Sequence, residues 1–300
     1  MKKTLFIFTT ILFFALALTS CKKDEANNNG NSNGNTENHG GGGSEGGWHV
    51  YPSTAHVLPN AVTDIDGNSY DAVQIGNQVW MAENLRTTRF ADGTAIPMGS
   101  NSSYSGTESY RYAPGSNQSN EENMVNVSRY GYLYNWPAVM HGANSSYANP
   151  SGVQGICPTG WHVPSETEWK GLLNYMKTQP SYMANSNADH LAKALAATWG
   201  WISSDESDAT GTDVPGNNPS TNNATGFSAL PAGFFPGSFT SSPSSITYYN
   251  GGFGFQACFW SATQTNSEGA IMFDLRYDHA NVRWDESGRG NACSVRCVRD

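Results

Sequence analysis

Cys258-Phe-Trp-Ser-Ala-Thr-Gln264, Ala270-Ile-Met-Phe-Asp-Leu-Arg-Tyr-Asp-His-Ala-Asn-Val-Arg-Trp-Asp-Glu286 and Cys293-Ser-Val-Arg-Cys-Val-Arg-Asp300 follow one another at the C-terminal end of the sequence. Ile271, Phe273, Leu275 and Tyr277 alternate with Met272, Asp274 and Arg276, the period-2 pattern of a half-buried strand. Two more β-like runs flank it, ending in Ser261-Ala-Thr263 and in Cys297-Val298. Between the strand and the last run, residues 277–291 are polar, aromatic and charged by turns. That mixture predicts a recognition surface and not a core.

Working outward, the 300 residues include 32 Gly and 14 Pro, with 14% charged and 12% aromatic side chains. Short strands, tight turns and structured loops around an aromatic core fit these figures better than a helical bundle. The formal charge of -9 argues against a nucleic-acid surface, which needs clustered Lys and Arg.

The N-terminus carries an address. Lys2 and Lys3 precede an apolar run from Leu5 to Leu18, too short to span a bilayer comfortably and placed as a signal-peptide core. Leu18-Thr-Ser-Cys21 resembles the lipobox of bacterial lipoproteins, which implies cleavage after residue 20 and lipidation of Cys21. Lys22-Lys-Asp-Glu25 resembles the export signal of Bacteroidota surface lipoproteins. The expected location is therefore the outer membrane, lipid-anchored and facing the cell exterior. Residues 21–47 read as the lipidated Cys and a Gly/Asn/Ser tether, because 26–47 has no apolar periodicity to set against the entropy of ordering. Such a coil reaches about 25 Å. Residues 48–300 form the expected domain.

Within that domain, Gly76-Asn77 divides the β-like run Ala72 to Met81 and predicts a hairpin. Asp64, Asp66 and Asn68 have the oxygen chemistry of a calcium loop but lack its distal Glu, so the stretch reads as a turn. Residues 99–128 read as a long surface loop, and Tyr130 to Val139 as core. Ser165 with Glu168 makes a capping box, followed by Trp169, Leu172, Leu173 and Met176 on one helical face. A second helix is predicted over Asp189 to Ala197, and a strand-like run over Gly226 to Phe234. His162 has no recognisable catalytic partner in the sequence and reads as a structural histidine.

Apart from Cys21, the cysteines are Cys157, Cys258, Cys293 and Cys297. Cys293 and Cys297 on an extended strand would stand about 13 Å apart, beyond the reach of a bridge. Two pairings remain: Cys157–Cys297 with Cys258–Cys293, or Cys157–Cys293 with Cys258–Cys297. The first is preferred, since it ties the start of the capped helix to the last strand.

Six ordered motifs carry a family resemblance: Ile75-Gly-Asn-Gln-Val-Trp-Met-Ala-Glu-Asn-Leu85, Tyr130-Gly-Tyr-Leu-Tyr-Asn-Trp136, Cys157-Pro-Thr-Gly-Trp-His-Val-Pro-Ser165, Gly226-Phe-Ser-Ala-Leu-Pro-Ala-Gly233, Phe259-Trp-Ser-Ala-Thr263 and Ser294-Val-Arg-Cys-Val298. Together they resemble the Fibrobacter succinogenes major paralogous domain over about residues 60 to 300. The resemblance implies an α+β, C-type lectin-like fold, with two helices, small antiparallel sheets, long loops and terminal strands brought together. The preferred disulfide matches that fold's long-range bridge. The calcium triplets of sugar-binding C-type lectins, Glu-Pro-Asn and Trp-Asn-Asp, do not occur in the chain. No metal and no cofactor are expected.

From Phe259 to Arg299 the chain also looks like the variable region of proteins diversified by retroelements. By that resemblance the ligand-binding residues are Tyr277, Asp278, His279, Asn281, Arg283, Trp284, Asp285, Glu286, Ser287 and Arg289, with Tyr277, His279, Arg283 and Trp284 as anchors. The expected function is a surface-tethered binder of a protein, glycan or phage-borne ligand, not an enzyme. A structural or adhesin subunit is the alternative. An enzyme resembling formylglycine-generating enzymes is less favoured, because all four cysteines are assigned to structure.

Overall fold

Asp64 shapes the first turn of the domain in the computed structural model, which describes residues 50–100, 103–115, 120–203, 211–235 and 251–300. Its Oδ1 accepts the backbone N–H groups of Asp66 and Asn68, and its Oδ2 accepts Tyr70 Oη at 2.5 Å. The carboxylate thus works as a turn former between β1 (His56–Thr63) and β2 (Ser69–Ile75). Gly76 and Asn77 then turn β2 into β3 (Gln78–Met81). Gly76 is required there twice over: its φ is +62°, and a Cβ would lie 2.8 Å from the Tyr175 ring.

The following elements are β4 (Arg111–Tyr112), α1 (Asn120–Tyr130), β5 (Leu133–Asn135), α2 (Trp136–Met140), β6 (Trp161–His162), α3 (Glu166–Met176) and α4 (Ala192–Leu195). The chain closes with β7 (Gln256–Gln264), β8 (Gly269–Arg276), β9 (Arg283–Gly288), β10 (Ala292–Cys293) and β11 (Val298–Arg299). They form three small sheets, ordered β1-β2-β3-β11-β6, β10-β5-β4 and β7-β8-β9, beside few helices, a mixed α+β arrangement. Val298 pairs with both Trp80 and His162, so the last strand is built into the N-terminal sheet. Among the described residues no helix is long and apolar enough to cross a membrane.

α3 organises the core around it. Ser165 Oγ accepts the Glu168 N–H at 3.2 Å while Glu168 Oε2 accepts the Ser165 N–H at 3.0 Å, completing the capping box. The inward face places Trp169 against Trp80 at 4.5 Å and Phe273 at 4.9 Å between centroids, with Phe227 and Phe259 close by. Burying rings of this size stabilises the fold by about 2 to 3 kcal/mol each.

Several expectations need correction. α1 and β4 occupy part of the predicted surface loop; Val127 and Tyr130 are buried but Met124 and Val125 are exposed, too weak an apolar stripe to announce a helix. The second helix shrinks to α4, because the chain becomes extended at Ala196 (ψ 143°) and Ala197 N–H bonds to Ala229. Gly226 to Gly233 is buried but, among the described residues, joins no sheet: Ser228 has φ 55°, and isolated bridges at Ala229 and Gly233 link the run to other segments. β8 keeps the half-buried pattern only in part: Phe273, Leu275 and Tyr277 are buried and Met272 and Arg276 partly exposed, but Asp274 on the polar face is itself only 2% exposed.

The cysteines divide differently from the expected scheme. Cys157 and Cys297 are bonded, tying the loop before β6 to the residue before β11. Cys258 and Cys293 are two buried thiols and not a second bridge. Cys258 Sγ donates to the Gly233 carbonyl at 3.3 Å, and burial, with Cys293 as neighbour, pushes its thiol pKa well up. The segments expected to form a signal peptide, a lipidated Cys21 and a tether lie outside the described residues.

Candidate ligand-binding groove

Among the described residues β9 is the edge strand of its sheet, paired with β8. Its register sets Trp284 opposite Phe273 and Glu286 opposite Ile271, while Arg283 lies opposite Asp274 and Asp285 opposite Met272. Cross-strand partners share a face and neighbours alternate. The predicted recognition segment is therefore split: Trp284 and Glu286 look towards α3, whereas Arg283, Asp285 and Ser287 project from the other side. A reading of residues 277–291 as one continuous surface missed this, because it did not anticipate a strand there.

Several members of the segment are committed elsewhere. Tyr277 is only 4% exposed and packs edge-on against Phe255 at 5.3 Å, which removes it as a surface anchor. The Arg289 guanidinium stacks on Trp136 at 4.5 Å, and its Nη1 donates to the Ser267 carbonyl at 3.0 Å. Asp285 accepts the Glu286 N–H, Glu286 accepts Asn266 Nδ2, and Ser287 Oγ accepts Asn291 Nδ2. Asp278 and His279 Nδ1 are paired at 2.7 Å. Arg283 and Arg276 flank the buried Asp274 carboxyl, whose pKa burial raises against their opposing charge.

Trp284 is the anchor that remains, 49% exposed. It lines a groove between β9, α3 and the segment before α4, opposite Leu173, Asn174, Lys177 and Asp189. Lys170 Nζ lies 5.4 Å from the indole centroid, a cation–π contact, and is also 2.6 Å from Glu166 Oε1. Lys177 Nζ is 2.6 Å from Asp189 Oδ1, a bond that lowers the Asp189 pKa. Asn281 and Val282 complete the β9 side. The α3 contribution was missed in the sequence although it had a signal: Lys170, Asn174 and Lys177 recur at i, i+4 and i+7 on one helical face.

Another cluster has catalytic residue types. His162, 2% exposed, sits with Nε2 2.7 Å from Glu168 Oε1 and Nδ1 2.7 Å from Asp300 Oδ1. Carboxylate partners absent from the sequence reading are thus present, but Glu168 also caps α3 and receives the Ser151 N–H, so the cluster locks α3 to β6 and to Asp300. Among the described residues no group of His, Cys, Asp and Glu is arranged to hold a metal ion.

Residues 73–299 match the family model of the Fibrobacter succinogenes major domain, and the chain belongs to that family. No curated protein and no solved structure matches it.

Proposed function

We propose that this Fibrobacter succinogenes major domain protein is a surface-anchored lipoprotein with a C-type lectin-like fold that binds a protein, glycan or phage-borne ligand at the α3–β9 groove. Family membership supports a surface-associated paralogous-domain protein. The lipobox-like Leu18-Thr-Ser-Cys21 and the tether that follows support outer-membrane anchoring through Cys21. The lectin-like reading draws support from the pairing of β11 with β3 and from the Cys157–Cys297 bridge. One observation carries the binding role: a half-exposed indole, Trp284, set in a groove beside polar side chains on two rigid elements.

Retroelement diversification forms part of the proposal. His279, Asn281, Trp284, Asp285 and Glu286 are exposed on and beside an edge strand, where replacement disturbs little packing. The formylglycine-type reading needs a reactive thiol, and Cys258 and Cys293 are fully buried.

The test compares cells displaying the protein with cells displaying Trp284→Ala at equal surface level, challenged with arrayed glycans, matrix proteins and phage particles. Binding that falls with the substitution supports the groove. Equal binding by both, or self-association with no binding, turns the reading to the structural or adhesin alternative. Replacing Cys21 with Ser should abolish lipid labelling and surface retention.

A further inference from the structure

The groove's chemistry narrows the ligand class, an inference that rests on the binding role just proposed. Among the described residues, the Asn174 and Asn281 amides and the Trp284 indole N–H have no hydrogen-bond partner within the protein, although all three border the same groove. Each amide offers one acceptor and two donors, a set that matches hydroxyl groups able to give and receive. Charge is balanced in place: Lys177 is paired with Asp189, and Lys170 with Glu166. A strongly charged ligand would have to displace one of these partners. Leu173 and Val282 supply apolar wall next to the indole.

An aromatic platform, free amides and compensated charge together suit a ligand with one apolar C–H face and a rim of neutral hydroxyls. We propose that the groove binds a neutral pyranose unit of a glycan, stacked on the open part of Trp284 and hydrogen-bonded by Asn281 and Asn174. No metal ion takes part in this recognition. An extended peptide is a poorer match, since the outward N–H of Glu286 on the β9 edge is already occupied by Asp285.

The test is calorimetric titration of the full chain, held in a zwitterionic detergent without a sugar head group. The probes are neutral gluco-, manno-, galacto- and xylo-oligosaccharides, with galacturonate oligomers and unstructured peptides alongside. At least one neutral oligosaccharide should bind, unaffected by a calcium chelator. Trp284→Ala should weaken that binding by about tenfold or more, Trp284→Phe should restore part of it, and Asn281→Ala should weaken it by a smaller factor. Thermal melting of each variant establishes that it is folded. Neutral oligosaccharides that fail to bind, or bind Trp284→Ala equally well, overturn the inference. If galacturonate or a peptide binds in a Trp284-dependent way instead, the sugar class assigned here falls while the groove's binding role stands. A panel in which nothing titrates overturns the sugar class and leaves the groove's binding role to the display test with matrix proteins and phage particles.

Discussion

Arg296 has no exposed surface, and its Nε donates to Asn84 Oδ1 at 2.6 Å. Its Nη1 donates to the carbonyls of Met81 and Phe227 and its Nη2 to that of Ser228, and its guanidinium lies over the Phe227 ring at 4.7 Å. No carboxylate bonds to it among the described residues; burial lowers its pKa to about 9, against the favourable field of the Glu83 carboxylate. The planar fork holds three separate chain segments, around residues 81–84, 227–228 and 296, at one point of the core.

Arg296→Lys should therefore destabilise the fold almost as much as Arg296→Ala, because a single ammonium cannot serve four acceptors in fixed directions. Each loss should reach about 3 kcal/mol or more. Urea unfolding followed by tryptophan fluorescence measures it. A shift below about 1 kcal/mol for Arg296→Lys would sink the assignment of the fork.

The bridge between Cys157 and Cys297 spans 140 residues of sequence, so its removal should cost about 5 kcal/mol in the chain-entropy model. Cys157→Ser with Cys297→Ser should unfold at a much lower urea midpoint. Peptide mapping should find Cys258 and Cys293 alkylated only after unfolding. A crosslinked Cys258–Cys293 peptide from protein isolated from the cell envelope would instead establish a second bridge.

Burial disfavours the charged form of His162, but the hydrogen bonds to Glu168 and Asp300 outweigh it and raise the pKa above the ordinary 6.5. The folded value is the higher one, so protonation favours folding. This contribution is complete below pH 6.5 and is lost as pH rises through the raised folded pKa. Stability should fall over that alkaline-side window, and His162→Gln should flatten the dependence while costing about 1 to 3 kcal/mol at low pH. Asp300→Asn should reduce the slope. A His162→Gln profile parallel to the parent's would refute the linkage.

If the gene is diversified, sequences from separate isolates should vary at His279, Asn281, Trp284, Asp285 and Glu286 and spare Tyr277 and Val282, which are buried. A near-identical template repeat should lie beside a reverse transcriptase gene. Variation spread evenly across buried and exposed positions, or none at all, would remove diversification from the proposal.

Local chemistry was legible in the chain. Ser165 and Glu168 lie three residues apart, and Gly76-Asn77 sits between two β-like runs, so the α3 cap and the β2–β3 turn depend on neighbours only. The last strand was legible as a strand, though not its place between β3 and β6. What only the tertiary structure decided is what distant segments do to one another. Arg296 lies within Ser294-Val-Arg-Cys-Val298 and nothing around it in sequence announces its enclosure, because its four acceptors come from positions 81, 84, 227 and 228. Tyr277 and Trp284 look equally suited to a surface in sequence, yet Phe255 packs on the first, which is 4% exposed, while the second stays 49% exposed. Periodicity records which side of a strand a residue occupies; whether that side meets solvent depends on packing partners far away in the chain.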